Sequence, residues 1–159
     1  MKVCPRCGLQ YQDHETLCFV DNVELQVMED PWIGKTLAGR YLVEDPIGEG
    51  GMARVYRARH TLVDRPVAVK IMSEHTSRDA SLRERFRREA KNAAALAHPN
   101  IIEIYDYGET DDGAVFLVME LLNGAPLAAH IAQGPMEPGR VASLGLQIAM
   151  GLARAHDFE

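Results

Sequence analysis

The sequence predicts an α+β fold in which five strands and one long helix follow a short cysteine-bearing segment and precede a further apolar helix. Three observations carry this expectation. Residues 41–47 and 54–59 read as two short strands joined by the turn Gly48-Glu49-Gly50-Gly51-Met52-Ala53. Residues 67–72 read Val-Ala-Val-Lys-Ile-Met, with the period of two that a strand requires. Residues 79–97 bring Leu82, Phe86, Glu89, Ala93 and Leu96 into one sector at about 100° per residue, which is helical spacing.

The bulk numbers set bounds. A chain of 159 residues fits about one domain, or a small domain with part of another. Its 47% hydrophobic and 25% charged residues are ordinary for a globular protein. A formal charge of −6 argues against nucleic acid as a partner. The basic run 83–91 is interleaved with Glu84 and Glu89, as on a solvated helix face. The amino terminus lacks an apolar stretch of signal-peptide length, and residues 114–122 are short and broken by Glu120, so no membrane segment is expected. The three cysteines all fall within the first 18 residues, which is no disulfide framework, and a cytoplasmic location is the expectation.

Cys4-Pro5-Arg6-Cys7-Gly8 has the spacing by which two thiolates reach one tetrahedral ion, and Gly8 permits the positive φ that turns backbone N–H groups toward sulfur. Cys18-Phe19-Val20-Asp21-Asn22 supplies a second half, with Asp21 in place of a fourth cysteine and Asn22 in place of glycine. The segment resembles the small zinc ribbons that open many bacterial multidomain proteins. That resemblance implies a structural Zn2+ on Cys4, Cys7, Cys18 and Asp21, with His14 as an alternative fourth ligand and a metal-free ribbon as the competing reading. So short a segment folds only with its metal, because its apolar surface is too small to hold it together alone.

Residues 29–39 read as a linker. Gly34-Lys35-Thr36 invites a phosphate-loop reading, but that motif needs a glycine five positions earlier, where Glu29 stands. The glycine turn joins two strands rather than a strand and a helix, because Val55-Tyr56-Arg57-Ala58 continues with β-branched and aromatic residues. On the third strand Val67, Val69 and Ile71 point one way and Ala68, Lys70 and Met72 the other. A lysine among small and apolar neighbours suits a ligand face, with Ala68 against a flat base and Lys70 against phosphates. Glu89, in the core-facing sector of the helix, then needs a cation, and Lys70 is the one at hand; a glutamate that tilts into solvent is the competing reading. Pro99 ends the helix, and His98 reads as a loop hydrogen-bonding residue. Strands follow at 103–107 and 115–119, and a second helix at 138–156 with Val141, Leu144, Ile148, Leu152 and Ala155 on one face.

The glycine turn, Val67-Ala68-Val69-Lys70, Phe86-Arg87-Arg88-Glu89-Ala90, His98-Pro99-Asn100-Ile101 and Leu117-Val118-Met119-Glu120 follow one another as in a protein-kinase small lobe. Residues 40–159 resemble the eukaryotic-like serine/threonine kinases of bacteria. The resemblance implies a five-stranded antiparallel sheet with one long helix over 40–122, and the first helices of a large lobe over 123–159, behind a ribbon at 1–28. It also implies ATP with Mg2+ as cofactors and a protein as phosphoryl acceptor. Ile47, Gly48, Glu49, Gly50, Gly51, Met52, Ala53 and Val55 would cover the nucleotide. Ala68 would lie against adenine with Met119 behind it, the backbone of Glu120 and Leu122 would bind the base, and Lys70, paired with Glu89, would hold phosphates.

In that family the catalytic loop and the magnesium ligands follow the helix at 138–156, so none is expected within these residues, and Asp157 lacks the His-Arg context of a catalytic aspartate. The chain alone is therefore expected to bind nucleotide weakly, to show no turnover and to be poorly soluble. A noncatalytic docking module, or a pseudokinase fragment, is the alternative reading.

Overall fold

The computed structural model describes residues 2–12, 14–27, 30–77 and 79–158. The chain divides into two compact units, Met1–Ile33 and Gly34–Glu159. The expected ribbon boundary at residues 28 and 29 lies outside the described residues.

The first unit is a three-stranded antiparallel sheet of two-residue strands, β1 (Lys2–Val3), β2 (Gln10–Tyr11) and β3 (Gln26–Val27), in the order β2-β1-β3. Lys2 lies opposite both Tyr11 and Val27. The core consists of Cys4, Cys18 and Leu25, with Tyr11 and Val23 packed on it. Five side chains cannot offset the ordering of about thirty residues, at about 1–2 kcal/mol each for backbone alone.

The second unit is built on one antiparallel sheet of β4 (Thr36–Leu37), β5 (Tyr41–Glu49), β6 (Ala53–His60) and β7 (Arg65–Met72), with β8 (Ile104–Glu109) and β9 (Val115–Glu120). The order is β4-β5-β6-β7-β9-β8. The five anticipated strands are present, and a sixth, β4, lies within the stretch read as linker. Leu37 draws it in: the side chain is 2% exposed, and backbone bonds from Gly34 to Val43 and from Val43 to Lys35 carry the pairing outward. A strand of two residues has no period, so no pattern announces it.

One face of the sheet is the core. Tyr56, Val67, Val69, Phe116 and Val118 are each at most 1% exposed, with Val43, Ala58 and Ile71 among them. The register keeps them together, since Tyr56 faces Val69, Val69 faces Val118, and Ala58 faces Val43 and Val67. Gly108, opposite Phe116 in the pairing of β8 with β9, is required there. A Cβ on it would overlap the Phe116 ring, which is wholly buried.

Between β7 and β8 come α1 (Glu74–Ser77) and α2 (Ala80–Ala94). Asp79 caps α2, its carboxylate accepting from the N–H groups of Ser81 and Leu82 at 2.8 and 3.2 Å. The helix stops short of the anticipated residue 97. His98 Nδ1 accepts from the N–H of Asn100 at 3.1 Å, the loop role expected of it.

After β9 come α3 (Leu127–Ile131) and α4 (Pro138–His156), the latter with the anticipated bounds. Pro138 starts α4, and the Glu137 carboxylate accepts from the N–H of Arg140 at 2.9 Å. The helix approaches the 98–101 loop at Gly151, where a Cβ would stand 3.2 Å from the Asn100 carbonyl oxygen. Its apolar face is open: Val141, Ile148 and Leu152 are 49%, 51% and 53% exposed. Among the described residues no helix is long and apolar enough to cross a membrane.

Gly108→Ala tests the packing argument. Forcing a methyl against Phe116 should cost about 1–3 kcal/mol in urea unfolding, and an unchanged midpoint would show that the ring moves freely.

Candidate functional site

Opposite the core, the second face of the sheet has a different character. Lys70 faces Val55 on β6 and Leu117 on β9, Gly48 faces Val55, and Ala68 faces Met119. Antiparallel partners share a face, so Val55, Ala68, Lys70 and Met119 lie together on this face, with Gly48 beside Val55 in the ladder. Ala68 is buried at 4% exposure, and Val55, Lys70 and Met119 are half-buried. Ile47, Met52 and Leu122 stand well exposed around this surface, at 47%, 58% and 66%.

The glycine turn is a hairpin, as anticipated. The N–H of Gly50 bonds the carbonyl of Ala53 at 3.0 Å, and Arg54 grips Glu49 Oε1 through Nε and Nη2 at 3.0 and 2.8 Å. Gly48, Gly50 and Gly51 are absent from the positive-φ positions. A Cβ at Gly48 or Gly50 would meet only ordinary contacts at 3.8 and 3.6 Å, and one at Gly51 would meet nothing within 4 Å. The turn's own folding therefore does not demand three glycines. What they provide is bare backbone toward whatever lies over the sheet.

Helix α2 differs from the reading in one consequential respect. Its packed residues are Leu82, Arg83, Phe86, Ala90 and Ala93, whereas Glu89 is exposed. Glu89 is ion-paired with Arg85, Nε to Oε1 at 2.8 Å, and among the described residues no ion pair joins it to Lys70. The anticipated Lys70–Glu89 pair is thus not formed. The ammonium of Lys70 instead lies 5.6 Å from the centre of the Phe86 ring, and that ring lies 6.3 Å from Tyr107. Arg83 on the same side of α2 makes an ion pair to Glu109 on β8 at 2.8 Å. The physical reason is desolvation. Ala90 buries at no polar cost, whereas Glu89 would have to leave water, and Arg85 four residues away satisfies it at the surface. The Arg85-to-Glu89 spacing is visible in the sequence; the wedge of Phe86 beside Lys70 is not.

At Glu120 the backbone N–H is taken by the carbonyl of Glu103 at 3.0 Å, and the side chain accepts from the N–H of Glu103 at 3.0 Å. Any further backbone contact from this residue must come from its carbonyl.

The first unit brings its four ligand candidates together. The donor atoms of Cys4, Cys7, Cys18 and Asp21 all lie within 4.8 Å of one another, and His14 is not among them. The two halves share one backbone design. Gly8 N–H bonds the Cys4 carbonyl and Asn22 N–H the Cys18 carbonyl, each at 2.9 Å, with φ of 76° at Gly8 and 52° at Asn22. Asp21 therefore occupies the position equivalent to Cys7. Cys4 Sγ accepts from the N–H groups of Arg6 and Cys7 at 3.4 Å, and Cys18 Sγ from that of Asp21 at 3.3 Å.

The spacings suit a tetrahedron. Zn–S bonds of about 2.3 Å give edges of about 3.8 Å, and the Cys7–Cys18 sulfur separation is 3.7 Å, with Asp21 Oδ2 at 3.3 Å from Cys4 Sγ and 3.7 Å from Cys18 Sγ. The neighbouring thiols of Cys7 and Cys4 hold the Asp21 carboxyl below its usual range, and Asp21 in turn pushes the Cys7 thiol up to about 12. A residue the sequence did not single out completes the cluster: Tyr11, whose hydroxyl is 3.1 Å from Cys18 Sγ.

Comparison with known proteins bears on the second unit. Residues 41–159 match the protein kinase domain family. The chain is 45% identical over 125 residues to the serine/threonine-protein kinase PrkC of Bacillus subtilis, covering 78% of this chain and 19% of that protein. It is 41% identical over 128 residues to the serine/threonine-protein kinase pkn3 of Myxococcus xanthus, covering 80% and 23%. The chain therefore spans about a fifth of the length of these curated relatives. Among solved structures it resembles the kinase domain of Mycobacterium tuberculosis PknI, with a TM-score of 0.67, 33% identity, and coverage of 78% of this chain and 50% of that one.

The glycine turn generates a prediction. Gly50→Ala should leave stability unchanged or raise it by up to about 1 kcal/mol, by restricting the unfolded chain, while reducing the melting-temperature shift produced by nucleotide. A lower stability would mean that the hairpin itself needs the glycine.

Proposed function

The chain belongs to the protein kinase family, and from that premise we propose that residues 40–122 are an ATP-binding small lobe whose whole protein transfers the γ-phosphoryl group of ATP to serine or threonine hydroxyls of protein substrates. One observation carries the reading. The strand register gathers Val55, Ala68, Lys70 and Met119 on a half-buried face, next to a hairpin whose glycines its own folding does not require.

In this reading Ile47, Val55 and Ala68 enclose adenine, with Met119 at the back. The carbonyl of Glu120 and the backbone of Leu122 bind the base edge. Backbone from Gly48 to Ala53 closes over the phosphates, and Lys70 holds the α- and β-phosphates. Mg2+ neutralises the phosphate charge when bound. Glu89 reaches Lys70 only if α2 turns. The Arg85–Glu89 pair given up in that turn is an exposed i,i+4 contact worth about 0.2–0.5 kcal/mol; the larger cost is reseating the buried Ala90 and half-buried Phe86.

For the first unit the reading is a structural Zn2+ on Cys4, Cys7, Cys18 and Asp21, supported by tetrahedral spacings and by a core in which two of three buried residues are ligands. Thiolate ligation fits a reducing, cytoplasmic setting.

The test is thermal unfolding of the chain with and without Mg-ATP, for the wild type and for Lys70→Ala. The wild type should gain stability with Mg-ATP, and the variant should lose most of that gain while keeping the same unfolding temperature without nucleotide. Equal gains in both proteins would remove Lys70 from the site.

A further inference from the structure

Tyr11 sits at the end of β2, outside both cysteine knuckles, yet its hydroxyl oxygen is fixed from two sides. It accepts from the backbone N–H of Phe19 at 3.2 Å and lies 3.1 Å from Cys18 Sγ. A phenol has a single proton. With one lone pair engaged by Phe19, that proton is directed to the sulfur of Cys18. The ring is half-buried against the cysteine core and lies 5.8 Å from the Phe19 ring.

The charge of the cluster shows why this matters. A divalent ion with three thiolates and one carboxylate carries +2 − 3 − 1 = −2, in a site where Cys4 and Cys18 are each 1% exposed. Such excess charge needs hydrogen-bond donors around it. The second knuckle is the weaker half, since it offers one thiolate and one carboxylate where the first offers two thiolates. Arg6 assists Asp21 only from 4.0 Å, through a side chain that is 72% exposed.

We infer that Tyr11 is a positioning residue of the metal centre: by donating its hydroxyl proton to the Cys18 thiolate it holds the second knuckle on the ion and lowers the charge on sulfur. This inference rests on the zinc reading above. Tyr11 is not a ligand, so its loss should leave three sulfurs and one oxygen on the metal while weakening the hold on it. Outer-shell partners of this kind are typically worth about 10–100-fold in metal affinity.

The experiment uses the full chain, with Zn2+ affinity measured by competition against a chromogenic chelator and with Co2+ as the spectroscopic probe. The wild type should bind one ion with tetrahedral Co2+ bands and thiolate charge-transfer absorption. Tyr11→Phe keeps the ring and its packing. It should keep the tetrahedral bands, shift the charge-transfer absorption to longer wavelength because the sulfur has lost a hydrogen bond, and bind Zn2+ about 10–100-fold more weakly. Asp21→Asn should instead alter the tetrahedral bands themselves, as a change of ligand must. A wild type that binds no metal overturns the zinc reading and this inference with it. A wild type that binds tightly, beside a Tyr11→Phe variant with the same affinity and the same charge-transfer band, overturns the role of Tyr11 alone.

Discussion

Alternation along β7 is the constraint from which the rest of the second unit follows. The strand is hydrogen-bonded on both sides, to β6 and to β9, so its side chains can leave only through the two faces of the sheet. Val67, Val69 and Ile71 fill one face and are buried to within 1%. That fixes Ala68 and Lys70 on the other face, and the antiparallel register then carries Val55 and Met119 to the same side. A one-residue slip would exchange the two sets and bury the ammonium in the core. The fold and the candidate site are therefore specified by the same pattern.

Helix α2, which carries Glu89, is held less firmly. Arg83 ties α2 to Glu109 and Phe86 packs toward Tyr107, and together these contacts set a rotation in which Glu89 faces water. Exposed ion pairs contribute little, whereas burial of Ala90 and the partial burial of Phe86 define the seating. Lys70 meanwhile rests near an aromatic face, a contact weaker than a buried carboxylate partner would supply. In the kinase reading these two groups meet, whereas here each has another neighbour, Arg85 for Glu89 and the Phe86 ring for Lys70.

Much of this was legible in the residues. The two-residue period at 67–72 and the hairpin glycines were enough to assign the strands, and Gly8 and Asn22 marked the two positive-φ corners that shape the knuckles. Glu89 was misread because helical spacing gives a sector, not its centre. Leu82, Phe86 and Ala93 fit a core face centred on either residue 89 or residue 90, and only packing against β8 chooses the latter. Strand β4 and the hydroxyl of Tyr11 could not be read at all. The first is too short to show a period, and the second depends on a fold-back that brings residue 11 to residue 18. In the first unit two of the four candidate ligands, Cys4 and Cys18, are also core residues, so in the zinc reading ligation and stability are coupled.

The central claim is that nucleotide lies on the Lys70 face of the sheet. Methyl and amide chemical-shift mapping of the isotopically labelled chain during titration with Mg-ATP addresses it most directly. The account predicts shifts at the amides of residues 48–53 and at the methyl groups of Val55, Ala68 and Met119, with Val43, Val69 and Val118 on the opposite face unmoved. Shifts centred on that opposite face, or none at millimolar nucleotide, would contradict it.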